Sequence, residues 1–125
     1  MFLESLAEKC GEISGLKAFA ARFPPCGDDC LCVSEYAAEF SKNGVNYGFI
    51  NRHVQIMARA SGYRAAYTAL KAVMEELDSG PDEREIDIGG EKAVSRPKHI
   101  PLYIGEDEDG KVMLGMNYVI TTRFD

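Results

Sequence analysis

The spacing of apolar residues near the start of the chain predicts a first helix. The segment MFLESLAEKC places Leu3, Leu6 and Cys10 on one helical stripe. Gly11 and Gly15 follow this stripe, so the helix is predicted to end near Cys10. The next apolar segment, LKAFAARF, fits either a second helical turn or a short strand, and the Pro-Pro pair after it ends both.

A second helix is predicted over residues 62–78, where apolar residues recur at alternating spacings of four and three. Ser61 is a candidate N-cap, and the Gly-Pro pair at positions 80 and 81 stops the helix. We expect this helix to pack on a sheet through a single apolar stripe, which consists of Tyr63, Tyr67, Leu70, Met74 and Leu77.

Alternation with period two predicts strands in the remaining segments. CLCVSEYAA and NRHVQIMARA predict the two strands of a hairpin, with Asn43 and Gly44 in its turn. After the second helix, REIDIGG predicts a short strand, KHIPLYIG an extended segment and VMLGMNYVITTRF a closing strand, so that two or three strands follow the helix. One face of the second hairpin strand is apolar and consists of Val54, Ile56, Ala58 and Ala60. One face of the closing strand is also apolar and consists of Val112, Leu114, Met116, Tyr118 and Ile120.

These elements together predict an α+β fold. The sheet is largely antiparallel, and an N-terminal helix and one central amphipathic helix of about residues 62–78 pack on it. A chain of 125 residues suits one hydrophobic core, so we expect residues 1–125 to form a single domain.

Charge and composition exclude several classes of partner. The net charge of −6 and the pI of about 4.9 argue against binding to duplex nucleic acid or to an anionic membrane. No apolar run is long enough to span a membrane, and the first residues lack the positive charge and the apolar stretch of a signal peptide. We therefore expect a cytosolic product whose thiols stay reduced.

Three of the four cysteines lie within seven residues, which raises the question of a metal or redox site. Cys26 and Cys30 have a spacing that fits a zinc site loosely, and Cys32 or Cys10 could add a third ligand. No second ligand pair follows, and the two histidines are isolated. The favoured interpretation is that Cys30 and Cys32 occupy one face of a strand, where reduced cysteine behaves as a small hydrophobic residue.

The sequence offers no motif that predicts catalysis. A nucleophilic site needs Ser or Cys beside a base, and neither His53 nor His99 lies in such a motif. The glycines do not have the spacing of a phosphate-binding loop, and the acidic run at 106–109 lacks the pattern of a calcium loop. We therefore predict no enzyme, no cofactor and no metal.

Nearly the whole chain resembles the small minor capsid and tail-terminator proteins of long-tailed bacteriophages and prophages. The resemblance is one of order and spacing. It covers the helix LESLAEKC, the segment FPPCGDDCLCVSEYAAE, the strand and helix NRHVQIMARASGYRAAYTALKAVMEEL, and the final RPKHIPLYIGEDEDGKVMLGMNYVITT. In that family the second segment is a proline-bearing loop followed by a strand that ends in an acidic-aromatic pair, here Glu35 and Tyr36.

The resemblance implies a structural role at the head-tail junction of a virion assembled in the bacterial cytoplasm. Such proteins form a ring, typically hexameric, that caps the tail tube, stops its polymerisation and offers a surface to a neck or head-completion protein. The isolated chain can stay monomeric, because ring closure can require the tube end as a template. The alternatives are a small cytosolic α+β binding module and a metal-binding protein that uses Cys26, Cys30 and Cys32.

Two segments are candidates for contacts with neighbouring subunits or other tail proteins. The predicted hairpin at residues 38–52 has more aromatic residues than a solvated turn needs, and aromatic residues commonly anchor interfaces. The acidic turn is expected to steer partners by charge, because consecutive carboxylates repel one another unless a basic group matches them. The candidate interface residues are Phe40, Tyr47, Phe49, Arg52, Arg59, Glu106, Asp107, Glu108 and Asp109.

Overall fold

Two helices pack on one face of a sheet in the computed structural model, which describes residues 1–23, 27–40 and 48–123. Within these residues the sheet has seven strands. In chain order the elements are α1 (Phe2–Ser14), β1 (Lys17–Ala20), β2 (Cys30–Phe40), β3 (Phe49–Ala60), α2 (Tyr63–Glu76), β4 (Ile86–Ile88), β5 (Glu91–Pro97), β6 (Leu102–Glu106) and β7 (Val112–Arg123).

The sheet is antiparallel except at one edge, which confirms the predicted α+β class. The strand order is β1-β2-β3-β7-β5-β4, and only the β1-β2 pair is parallel among these described strands. Strands β2 and β3 form the predicted hairpin, whose turn lies outside the described residues. Strand β7 is flanked on its other side by β6 along its first half and by β5 along its second half.

The core lies between the helices and one face of the sheet. The alternating residues predicted to share a face of β3 and of β7 do so and are buried, with Val112 only partly covered. Leu31 and Val33 of β2 extend this face, and the α1 residues Phe2 and Leu6 cover part of it. Burying such side chains contributes about 1.5–3 kcal/mol each, so this layer supplies most of the driving force for folding.

Helix α2 occupies the predicted position, but its contact stripe differs in detail. Leu70 and Leu77 are fully buried, whereas Tyr63 is 52% exposed and stacks on Tyr67 at a ring-centroid distance of 6.1 Å. Alanines 66 and 69 lie against the sheet instead, because small side chains allow the closest approach. Ser61 is not the N-cap as predicted: that position is Gly62, without a side-chain hydrogen bond.

Helix α1 is longer than predicted. It continues through Gly11 to Ser14 and ends at Gly15, whose left-handed φ of 76° lets its N–H donate to the Gly11 carbonyl. A side chain at Gly11 would crowd the carbonyl of Leu16 and the side chain of Ala18, so the glycine allows close packing rather than ending the helix. The segment that follows Gly15 was predicted to form either a second helical turn or a short strand, and it forms strand β1.

Four strands follow α2 in the described chain, not the two or three predicted. The missed strand is β5, whose sequence EKAVSRP has little apolar alternation. Its buried positions are Ala93 and Ser95, and the Ser95 N–H donates to the Ser79 hydroxyl at 2.8 Å. A neighbouring segment thus satisfies the backbone N–H of this core-facing residue, whereas its buried hydroxyl has no hydrogen-bond partner among the described residues.

Candidate interaction surfaces

The cysteines lie in two buried environments. Cys30 and Cys32 share the face of β2 opposite to the helices, which confirms the strand interpretation. Burial raises the pKa of the Cys32 thiol, and burial in the helix layer raises the pKa of Cys10 to about 12. Within residues 1–23, 27–40 and 48–123, no group of three or more His, Cys, Asp or Glu could hold a metal, and Cys26 lies outside these ranges.

Arg59 is buried on the same face as these thiols. Only 8% of the residue is exposed, and its Nη2 donates to Cys30 Sγ at 3.5 Å. Its guanidinium carbon lies 4.8 Å from the centre of the Phe23 ring, and its Nε lies 3.8 Å from Asp107 Oδ2. These contacts hold the arginine inside the subunit, between the sheet and the turn that carries Asp107.

The acidic turn between β6 and β7 is itself held in place. Asp107 Oδ1 accepts hydrogen bonds from the N–H groups of Asp109 and Lys111 at 3.0 and 2.8 Å. Lys111 Nζ donates to Asp29 Oδ1 at 2.8 Å, and this bond raises the pKa of the lysine. Asp107 therefore shapes the turn, while Glu106 and Glu108 remain exposed together with Asp109.

Arg52 also has contacts inside the subunit, on the helix-bearing side of β3. Its Nη1 donates to Glu35 Oε2 at 3.1 Å, and its Nε donates to Thr122 Oγ1 at the same distance. The guanidinium carbon lies 4.5 Å from the centre of the Phe2 ring. The arginine thus connects three strands with the start of α1, and only its partly exposed surface could reach a neighbour.

Aromatic side chains are exposed where the β2-β3 hairpin ends. Phe40 is 48% exposed and Phe49 is 38% exposed, while Tyr47 lies outside the described residues. Tyr36 is exposed beside them, at a ring-centroid distance of 5.9 Å from His53. Tyr36 lies at an irregularity in the pairing of β2 with β3, between Glu35 and Ala37. Such an irregularity interrupts the alternation of side chains between the two faces of a strand, and no sequence pattern predicted it.

A second exposed apolar surface lies at β6, and the sequence interpretation missed it. Four residues in a stretch of five are exposed by about half: Ile100 (61%), Leu102 (52%), Tyr103 (56%) and Ile104 (47%). The available signal was the segment IPLYI, in which apolar residues follow one another without polar alternation. A continuous apolar run is typical of a strand that is covered on both faces, yet within the subunit these side chains are about half exposed.

The aromatic hairpin end and the acidic turn lie at opposite ends of the sheet. Strand β3 begins beside the hairpin end and reaches Ala60, which pairs with Val112 next to the acidic turn. Its twelve residues span roughly 40 Å at 3.3 Å per residue. The two predicted contact segments therefore cannot belong to one patch.

A family model described as bacteriophage tail terminator protein matches residues 7–123. The chain belongs to the bacteriophage tail terminator family. This confirms the resemblance inferred from the sequence, and it identifies the chain as a structural protein of a phage tail, located at the junction of tail and head and in contact with other tail or head components. A comparison with curated proteins found no match. No helix in the described part of this tail terminator is long and apolar enough to cross a membrane.

Proposed function

We propose that this chain is the subunit of a ring, hexameric in the assembled virion, that caps the tail tube and connects it to the neck. Membership of the tail terminator family supports this proposal. Capping needs no catalytic group. It needs a rigid subunit that contacts copies of itself, the tube and a neck or head-completion protein.

The observation that carries the finer proposal is the separation of the two exposed segments along β3. The hairpin end with Phe40 and Phe49 contacts a neighbouring subunit or the tail tube, because exposed aromatic side chains anchor protein interfaces. The acidic turn, roughly 40 Å away, attracts a basic surface of the neck. A ring built in this way presents different chemistry to the tube and to the head.

Deleting the gene in phage-producing cells tests the proposal. The expected result is tails of uncontrolled length, or heads without tails, in electron micrographs, with normal virions restored by the wild-type gene supplied from a plasmid. The ring itself is tested by image classification of purified tails, which should show the chain as a six-fold feature at the head-proximal end. Normal virions from the deletion contradict the proposed function.

A further inference from the structure

Strand β6 has an open edge, and its apolar side chains are about half exposed. Among the described strands it pairs with β7 alone. Natural proteins commonly protect an edge strand with charge, proline or a covering element, whereas β6 exposes Leu102, Tyr103 and Ile104. Apolar side chains on an unpaired edge are typical of a surface that meets another chain.

Strand β1 is the second open edge, and it lies at the opposite side of the sheet. It pairs only with β2 among the described strands. The N–H of Ala21 donates to the Val33 carbonyl at 2.7 Å. Because backbone groups alternate along a strand, the N–H and carbonyl groups of Ala18 and Ala20 point away from β2 and are available to another strand.

The two open edges lie at the same level of the sheet. The pairing registers connect them through the three strands between them. One row of paired residues reads Lys17, Cys30, Arg59, Met113 and Gly105, and another reads Phe19, Cys32, Met57, Gly115 and Leu102. Strands β1 and β6 therefore end the same five-stranded part of the sheet.

Strand direction allows these edges to pair between copies. β1 is parallel to β2, and each further step from β2 through β3 and β7 to β6 is antiparallel, so β6 runs opposite to β1. If a neighbouring copy keeps the same strand direction, its β1 lies antiparallel to β6. Antiparallel pairing is the more stable arrangement per residue.

Side-chain size also matches across such a junction. Continuing the rows places Lys17 of one copy level with Gly105 of the next, and places Phe19 level with Leu102 on the same face of the sheet. The partly buried Phe19 ring then meets the exposed Leu102 side chain, while Lys17 meets a residue without a side chain.

The other open edges of the sheet match less well. They are the second half of β2 and the short strand β4. Glu39 is exposed on the first, and Asp87 on the second, with Glu85 close by. Like charges would face one another there. A register irregularity does not distinguish the edges, because β2 has one after Glu35 and β6 has one after Tyr103.

We propose that β6 of one copy pairs with β1 of the next, so that one continuous antiparallel sheet runs from subunit to subunit. This inference rests on the proposed ring, because a head-to-tail contact of this kind closes by rotation. It identifies the partner of the exposed β6 surface as a second copy of the chain. It leaves the hairpin end and the acidic tip free for other proteins.

An introduced charge pair tests the pairing in phage-producing cells that lack the chromosomal gene. Phe19→Lys and Leu102→Glu, each supplied alone, should lower the yield of infectious particles roughly ten-fold or more, because a charged group then lies against an apolar side chain at the junction, whereas the two introduced charges attract one another when both are present. The double variant should recover most of that loss. Lys71→Glu, an exposed change on α2, is the matched control and should have no effect. Thermal unfolding of each purified variant separates misfolding from lost assembly.

A cross-link gives a second and independent readout. A tagged chain carrying Phe19→Cys and Leu102→Cys should form disulfide-linked oligomers when lysates of phage-producing cells are oxidised with copper phenanthroline, and mass spectrometry should find the bond between the two introduced thiols. Either change alone should give no oligomer ladder. The edge pairing is wrong if the charge variants assemble normally and no such bond forms. The deletion phenotype tests the ring function separately.

Discussion

The guanidinium of Arg52 lies 4.5 Å above the ring of Phe2 and thereby connects strand β3 to the first turn of α1. The same side chain is half-buried and paired with Glu35. Arg52→Ala should therefore lower the free energy of unfolding by about 1–2 kcal/mol, through the lost ring contact and the unpaired carboxylate. Urea unfolding measures the change. Arg64→Ala, an exposed change on α2, is the control, and equal losses in both variants would contradict a structural role for Arg52.

Two leucines of different burial test the packing of the helix layer. Leu70 is fully buried on α2, and Leu102 is about half exposed on β6. Leu70→Ala should cost about 2–5 kcal/mol of unfolding free energy, because it removes buried methyl groups and leaves a cavity. Leu102→Ala in the isolated monomer should stay within about 0.5 kcal/mol of wild type. Denaturant unfolding of the two variants side by side checks this, and similar costs would mean that the assigned faces are wrong.

The turn between β4 and β5 contains two glycines with different constraints. Gly89 has a φ of 61°, and an added Cβ would collide with the side chain of Ser5 on α1. Gly90 has a φ of 88°, but an added Cβ would meet no atom within 4 Å. Either substitution by alanine should lower the free energy of unfolding by about 1–2 kcal/mol, because of the left-handed backbone conformation. Gly89→Ala should lower it further, because helix α1 must also move to make room for the new Cβ. Thermal unfolding should rank Gly90→Ala as the more stable variant, and the reverse order would contradict the contact.

The thiol of Cys10 should make the protein less stable in alkaline solution. Its ordinary pKa of 9.0 is raised to about 12 by burial in the folded state, so the neutral thiol is favoured only when the chain is folded. The resulting stability is complete below pH 9 and is lost as pH rises toward 12, with a slope of up to about 1.4 kcal/mol per pH unit. Urea unfolding under reducing conditions at pH 8 and 10 measures this slope. In Cys10→Ala the slope should be smaller, and an unchanged slope would assign the effect to other groups.

The aromatic hairpin end is tested by Phe40→Ala combined with Tyr47→Ala. The exposure of Phe40 predicts that the double variant folds with little loss of stability. Its tails should be of uncontrolled length, or heads should lack tails, because the contact with the tube or the neighbouring subunit is weakened. Electron microscopy of particles from complemented cells measures this. Tyr63→Ala removes an equally exposed ring from α2 and is the control. Normal virions from the double variant would remove these residues from the interface.

Sequence periodicity predicted the strands that have one buried face. Strands β3 and β7 each cover the core with alternating apolar residues, so a local pattern carries the information. Strand β5 lacks this signal because three of its seven residues are charged and Ser95 takes a core position. The sequence pattern predicts too early an end for helix α1, because a glycine commonly ends a helix. Gly11 instead allows β1 to pack closely, which only the tertiary structure shows.

The burial of the candidate contact residues could not be predicted from the local sequence pattern. Alternation places Arg59 on the face away from the helices, where a charged residue is expected to meet solvent. It is buried because Phe23 and Asp107 reach it from segments far apart in the sequence. Only the tertiary structure shows that Arg52 and Arg59 have partners within the subunit, while Tyr36 and the β6 residues are exposed.

The pairing of β3 with β7 has a mechanical consequence. Twelve residues of β3 are in register with β7, along the direction that separates the hairpin end from the acidic turn. If tube and neck are attached at these two ends, a pulling force acts along the strands. Such a load shears all of the backbone hydrogen bonds between the two strands at once instead of opening them one after another. The subunit would then behave as a tension-bearing link between tail and head.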